Sequence, residues 1–392
     1  MKQTAIYLTL LLVTLFMSAC DEDNQNNGTS ETPEVCDDGI DNDGDGATDC
    51  ADVECNDACS DSDSSGNTGE GDVSGMPIPE TSGVPKPDGT PGNLSVLDWA
   101  GFTAAVSYTF DDSQPTHISH YDELNAEGIR MTFFAATGSP SSAADYDTTF
   151  AQAVTDGHEI GNHTAHHCHI DLTGCSFGTA DETPAAEIEE CSTYILDNFG
   201  QAEVWTMASP FGDGGWATPA ADYFFLNRSV SSGRIAPNSS TNPFALPSIM
   251  LSGGETVDDI NSIIDTTYDQ GAWHVFCFHS VLPGANWYAG VELESITGSM
   301  EHIKDAGDIW ADSMVNVGAY WMGQKLVTDA SPTTSGDTTT WTWTLPDHFP
   351  AGKYVRVTVD GGTLSQGGTT LAWSDHGYYE VSLDAGELVL AP

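Results

Sequence analysis

Basic residues are nearly missing from this chain. Of its 392 residues only nine are Lys or Arg, against 59 Asp or Glu, and the formal net charge is −50. So few cations leave no footprint for a nucleic-acid backbone, which excludes that class of partner. The acidity suits a very soluble protein working outside the cytosol, and most of the carboxylates read as a solvated surface without a ligand role. Large apolar side chains are scarce between residues 21 and 94, where Gly, Ser, Asp and Pro dominate and Lys86 is the only base. That stretch has nothing to build a core from and is expected to be mostly disordered. An apolar run of comfortable membrane-spanning length is also lacking. The amino-terminal AIYLTLLLVTLFM behind Lys2 is too short for that and reads as the core of an export signal.

The signal ends in MSAC, which resembles a bacterial lipobox with Met17 in place of the commoner Leu. The resemblance implies a signal peptide over residues 1–19, cleavage before Cys20, lipidation of Cys20 and a membrane anchor facing the periplasm or the cell exterior. The acidic tether would then run over 20–94. Setting Cys20 aside leaves eight cysteines: Cys36, Cys50, Cys55 and Cys59 in the tether, and Cys168, Cys175, Cys191 and Cys277 beyond it. An even remainder in an exported chain suggests disulfides. Between residues 36 and 59 the tether holds Asp41, Asp43, Asp45, Gly46, Asp49 and Asp52 at the spacing of a calcium loop. Alternate carboxylates can wrap a hard cation there, with Asp52 where a bidentate Glu is usual and no helices flanking.

From about residue 95 to 329, apolar strand-like runs alternate with helical patterns. Repeated β-then-α units imply a parallel sheet, and their number predicts an α/β barrel with its chemistry at the carboxyl ends of the strands. Residues 330–392 switch to short β-runs separated by Gly, Pro and Asp turns, a small all-β module.

Two stretches carry chemistry. AAVSYTFDD climbs as a strand to the adjacent carboxylates Asp111 and Asp112, which repel unless something positive sits nearby. GHEIGNHTAHHCH places His163 and His167 four apart after another strand, where one helical turn would aim both imidazoles at one point. Two His and one carboxylate with open positions make a catalytic divalent-metal site, with zinc the expected ion. One aspartate can be the ligand, and the other remains as a general base. His158, His166 and His169 are read as surface or packing residues. On the strand WHVFCFHS, Val275, Cys277 and His279 share one face, so Cys277 is expected to be an inward, unpaired thiol. At most one disulfide then joins Cys168, Cys175 and Cys191.

TFDD near the start of an α/β barrel, HTAHH about fifty residues later, then SPFG and a strand ending in FHS together resemble the polysaccharide deacetylase family, the NodB-homology carbohydrate esterases. The resemblance spans about residues 95–327 and implies a distorted (β/α) barrel. It makes Asp111 the base, Asp112, His163 and His167 the metal ligands, and His279 the acid. Pro210 and Phe211 stand for the family's Pro-Tyr, with the Phe211 N–H helping to hold the oxyanion. Two features depart from the pattern. The Arg that usually braces the base is replaced by Ala208, and the motif whose Asp orients the acid His is missing. The chain has four arginines, Arg130, Arg228, Arg234 and Arg356, and Arg228 is the candidate replacement, grouped with Pro210 and Phe211 on the substrate side. The function implied is removal of N-acetyl groups from an extracellular or cell-wall polysaccharide. One alternative is an O-acetyl polysaccharide esterase, for example on acetylated xylan, and another is a non-catalytic, calcium-stabilised sugar-binding lipoprotein.

Overall fold

The computed structural model describes residues 72–138 and 145–392. The export signal, Cys20, the Asp-rich loop and the four tether cysteines lie outside these residues. Eight strands build the central sheet: β1 (Ala104–Asp111), β2 (Thr132–Ala135), β3 (Glu159–Asn162), β4 (Thr206–Ala208), β5 (Leu226–Arg228), β6 (Ile249–Met250), β7 (Trp273–Phe278) and β8 (Ile309–Ala311). All their pairings are parallel, in the order β5-β4-β3-β2-β1-β7-β6. β8 shares an edge of β1 with β2, pairing along residues 104–106 while β2 takes 109–111. The result is a curled, open parallel sheet, a distorted β/α barrel.

β1 shows why the sequence folds this way. All eight of its residues are buried, as expected of a parallel strand covered on both faces. Val106, Tyr108 and Phe110 join the cluster that packs under the outer helices. Ser107, Thr109 and Asp111 alternate to the other face, where Ser107 Oγ accepts the Trp273 indole N–H at 3.1 Å. The longer outer helices are α1 (Tyr146–Thr155), α2 (Pro184–Phe199), α3 (Val257–Asp269) and α4 (Leu293–Ala306). Thr256 and Asp259 form a reciprocal capping box at the start of α3.

Helix α5 (Met314–Asp329) is different: ten of its residues are buried, on all sides. Its first turn sits at the amino ends of β2 and β3. Met314 N–H donates to Thr132 Oγ1 at 2.8 Å and Val315 N–H to Glu159 Oε2 at 2.9 Å. Gly318 and Gly323 let it approach both neighbours. A Cβ on Gly318 would lie 2.2 Å from Leu226, and one on Gly323 would lie 2.4 Å from Leu383. α5 therefore closes the amino pole of the sheet and carries the carboxyl-terminal β-strands on its other side.

Those strands form two antiparallel sheets. One holds Tyr354–Thr358, Tyr378–Ser382 and Trp373–Ser374. The other holds Thr333–Ser335, Thr338–Thr342, Glu387–Ala391, Thr363–Gln366 and Thr369–Thr370. Ser95–Val96, placed by the sequence at the start of the barrel, instead pairs with Tyr354–Thr358. The described part of the expected tether, residues 72–94, is laid against the same sheets rather than disordered. The N–H groups of Val73 and Ser74 donate to Glu380 at 2.7 and 2.6 Å, and Val84 N–H donates to the Asp375 carbonyl at 2.7 Å. The segment is held by main-chain bonds, by Glu380 and Arg356, and by the partly buried Met76 and Leu94, too few apolar residues to stand out in its composition.

Two buried histidines make the fold acid-sensitive. Met131 N–H donates to His158 Nδ1 at 2.9 Å, so the fold requires that nitrogen unprotonated. Burial lowers the pKa of His158 to about 4 and that of His274 to about 3. Unfolded, both titrate near 6.5, so the unfolded chain binds more protons and stability falls as pH drops from about 6.5 toward 4. Each should cost roughly 2 kcal/mol by pH 5. Equilibrium denaturation at pH 7 and pH 5 should show a smaller acid loss for His274→Phe than for the wild type. An equal loss in both would mean that His274 is not the titrating group.

Candidate active site

The chemistry-bearing residues gather at the carboxyl pole of the sheet. Asp111 ends β1, His163 follows β3, Ala208 ends β4, Arg228 ends β5 and His279 follows β7. Asp111, His163 and His279 line a pocket of about 460 Å³, and Ala208 and Arg228 stand behind it.

The two aspartates are separated by a backbone reversal. Asp111 is extended strand, but Asp112 and Ser113 have φ of 73° and 52°. Left-handed conformations at non-glycine residues are unfavourable by ~1–3 kcal/mol each, so the turn must be held. Ser113 Oγ does this, accepting from Ala136 N–H at 3.0 Å and from the Tyr146 hydroxyl at 2.8 Å. Gln114 Nε2 donates to Asp112 Oδ2 at 3.3 Å. The other oxygen, Asp112 Oδ1, is buried with no hydrogen-bond partner.

That orphaned oxygen faces two imidazoles. His163 Nε2 lies 3.4 Å and His167 Nε2 3.3 Å from it. The far nitrogens are engaged: His163 Nδ1 with the Ala208 carbonyl at 2.8 Å, and His167 Nδ1 with Ser176 Oγ at 3.1 Å. Both Nε2 lone pairs are thereby turned inward, the arrangement that partners behind a metal ligand enforce. Ligands ~2.0–2.1 Å from a tetrahedral ion stand about 3.3 Å apart, so these three residues fit one divalent cation. Burial alone would lower the pKa of His163, yet Asp111 and Asp112 outweigh it and raise it. The cage attracts positive charge.

The helical turn expected between His163 and His167 is absent. Residues 163–168 are a loop, and positive φ at Thr164 (61°) and His167 (49°) brings the rings together instead. Side chains hold this shape: Asn162 Oδ1 accepts Thr164 N–H at 2.8 Å, and Thr164 Oγ1 accepts His167 N–H at 3.1 Å. Glu187 on α2, fully buried, accepts from His166 N–H at 2.8 Å and from Asp181 N–H at 2.9 Å. The Cys168–Cys175 disulfide closes the following loop, which delivers Ser176 to His167. Cys191 and Cys277 are buried thiols.

Asp111 faces a different partner. Its carboxylate pairs with Arg228 Nη2, both side chains being buried. Burial pushes the Asp111 pKa up, but Arg228, followed by His163 and His279, outweighs that and holds the carboxyl below the usual range. Strand register explains the pairing. Arg228 on β5 is the direct partner of Ala208 on β4, so its side chain occupies the face that a long residue at 208 would have used. Arg228 is fully buried and, like Pro210, does not line the pocket. It reaches Asp111 rather than the pocket, which corrects its grouping with Pro210 and Phe211 on the substrate side.

His279 stands across the cage, Nε2 3.9 Å from Asp112 Oδ2. Burial lowers its pKa against the pull of Asp111 and Asp112. Its Nδ1 is buried without a partner, the structural counterpart of the missing orienting Asp. Phe211 has φ of 56° and is 46% exposed. Its ring stacks on His169 at 4.2 Å and meets His167 edge-on at 4.3 Å. The sequence reading missed Gln114, Ser176, Trp287 and Tyr288, all of which line the pocket. Nothing in their spacing marks them, since each is delivered by a loop.

Residues 103–221 match the family model described as polysaccharide deacetylase, a span that contains Asp111, Asp112, His163, His167, Pro210 and Phe211. The chain carries a polysaccharide deacetylase domain. Arg228 and His279 fall beyond the matched residues. Among solved structures, the chain is similar to a family 4 carbohydrate esterase from Streptomyces lividans in complex with acetate (17% identity, 55% of this chain and 95% of that one, TM-score 0.35). It is similar also to a family 4 acetyl xylan esterase from Clostridium thermocellum in complex with a cobalt ion (16%, 54% and 89%, TM-score 0.35). A third is a polysaccharide deacetylase from Bacillus cereus (14%, 54% and 91%, TM-score 0.36).

The shared register of positions 208 and 228 can be tested by substitution. Arg228→Ala leaves a buried carboxylate unpaired, which should cost about 3–5 kcal/mol of stability. Turnover should fall more steeply than metal affinity. Adding Ala208→Arg to that variant should recover part of the turnover, read by steady-state kinetics alongside metal titration. No recovery would mean that the two positions are not interchangeable.

Proposed function

We propose that this protein hydrolyses acetyl groups from an extracellular or cell-wall polysaccharide, with N-acetyl groups as the substrate. One observation carries the reading. A three-ligand cage at Asp112, His163 and His167 is flanked by a buried, guanidinium-held carboxylate and by an imidazole. A protein that only bound sugar would need neither the base nor the acid beside such a cage.

A divalent metal held by Asp112, His163 and His167, zinc in this reading, would supply Lewis acidity, polarising the acetyl carbonyl and acidifying water. Asp111, kept ionised by Arg228, accepts the proton of the attacking water. The Phe211 N–H serves as a donor to the developing oxyanion. His279 delivers a proton to the departing amine, which is too poor a leaving group to depart as an anion. A second reading, hydrolysis of O-acetyl esters on the same polymers, draws on the unpartnered Nδ1 of His279. An alcohol leaving group depends less on a well-oriented acid.

The same reading places the protein outside the cytosol, anchored through a lipid on Cys20, with calcium on the Asp41–Asp52 loop as a separate ion. The support for both is in the sequence alone. A chain beginning at Asp72 should keep deacetylase activity and lose calcium binding by calorimetry, since residues 72–94 belong to the fold. Loss of catalysis on that truncation would make the tether part of the enzyme.

Acetate release from N-acetylated chitooligosaccharides and from O-acetylated xylan tests the activity and separates the two readings. His163→Ala should abolish both activity and stoichiometric divalent metal. Asp112→Asn should weaken metal affinity severely. Asp111→Asn should retain metal and lose turnover by ~10²–10⁴-fold, the usual worth of a general base. Equal metal loss in both aspartate variants would make the pair a two-carboxylate metal site and end the division of roles.

A further inference from the structure

Six large hydrophobic side chains are exposed among the described residues, and three of them, Phe211, Trp287 and Tyr288, stand on the rim of this one pocket. Exposed apolar residues scattered singly need no explanation, but aromatics gathered at a pocket mouth mark a contact surface. Phe211 is engaged with His167 and His169. Trp287 and Tyr288 are 50% and 51% exposed and sit on the loop that follows His279. Tyr288 sets its ring edge-on to His279, with centroids 4.8 Å apart, and leaves the rest of its surface open.

The loop is held rigidly to the cage. Ser280 Oγ accepts the N–H groups of Trp287 at 2.9 Å and Tyr288 at 3.2 Å, and Ser280 N–H donates to the Tyr288 carbonyl at 3.1 Å. The Ser280 hydroxyl itself donates to Gln114 Oε1, and Gln114 Nε2 donates to Asp112 Oδ2 at 3.3 Å. A continuous run of hydrogen bonds therefore joins the aromatic rim to the metal-ligand carboxylate. The rim keeps a fixed position relative to the reacting group.

We infer that Trp287 and Tyr288 form a carbohydrate subsite that takes the apolar C–H face of the pyranose ring next to the acetyl-bearing one. This rests on the polysaccharide reading above and deepens it. A pyranose offers a flat C–H face bordered by hydroxyls, which matches a half-exposed aromatic ring. Trp and Tyr present that area at low conformational cost, having only two side-chain torsions. Binding energy from this neighbouring ring would make the enzyme select a chain over a single sugar.

The experiment uses the metal-loaded full chain, wild type and Trp287→Ala, with Trp287→Phe as the conservative variant. Kinetics on hexa-N-acetylchitohexaose and on acetylated xylohexaose are compared with those on N-acetylglucosamine and acetylated xylose. In Trp287→Ala the preference in kcat/KM for hexamer over monomer should fall by about tenfold or more, mostly through KM, for whichever acetylated chain is the substrate. Trp287→Phe should recover most of it. Tyr268→Ala, an exposed aromatic on α3 outside the pocket, should leave the preference unchanged. Hexamer binding followed by tryptophan fluorescence should be quenched in the wild type and lost in Trp287→Ala. An active wild type whose preference and quenching both survive Trp287→Ala overturns the subsite. A wild type without deacetylase activity whose quenching still depends on Trp287 overturns the catalytic reading and keeps the subsite. Neither activity nor binding overturns both.

Discussion

A guanidinium and a carboxylate removed from water together set the terms for this site. Left alone at the end of β1, Asp111 would take up a proton, because burial disfavours its charge. Arg228 reverses that outcome and is itself fully buried, so neither group can drift to solvent. A pair of this kind contributes little net stability and is costly to break. Its value lies in keeping an ionised oxygen beside a cage that contains a second carboxylate. Asp112 stays ionised for a related reason: burial raises its pKa, and His163, His167 and His279 together outweigh that.

The same sheet holds a contrasting carboxylate. Glu159, at the amino end of β3, is fully buried and accepts only from neutral donors: Thr132 Oγ1 at 2.8 Å, Thr206 Oγ1 at 2.6 Å and Val315 N–H at 2.9 Å. Burial wins there and raises its pKa. One pole of the sheet thus uses a buried acid to seat helix α5, and the other uses one to hold charge ready. The difference is the presence or absence of a guanidinium, in a chain that has only four arginines.

The fold was legible because parallel strands declare themselves by continuous burial. AAVSYTFD reads as a strand, and all its residues are buried. Asp111, Asp112, His163, His167 and His279 were legible because each sits at or just past a strand end, where periodicity locates it. Arg228 could be chosen as the brace by scarcity and its place at a strand end, but the way it reaches Asp111 follows from register, which a single sequence does not print. The loop features were not legible. Positive φ at Asp112, Ser113, Thr164, His167 and Phe211 falls on residue types that give no glycine signal. The docking of residues 72–94 is not legible because it rests on hydrogen bonds and on scattered apolar anchors, Met76 and Leu94, that form no periodic pattern.

Base and acid are supported unequally. On the side of the base, Arg228 fixes one oxygen of Asp111, and the thiol of Cys277 lies 3.4 Å from the other. On the side of the acid, the imidazole of His279 is held by its strand, by the edge of Tyr288 and by the His117 contact to its main-chain carbonyl at 2.7 Å. Among the described residues no side chain bonds its Nδ1 to fix the tautomer. In the proposed mechanism, proton removal from water would be prepared in advance, while proton delivery would depend on how the substrate seats His279. A sugar held at the proposed subsite would rest on the loop that begins at this histidine. Such binding would act chiefly on affinity, because Ser280 already ties this loop to Gln114 and the cage.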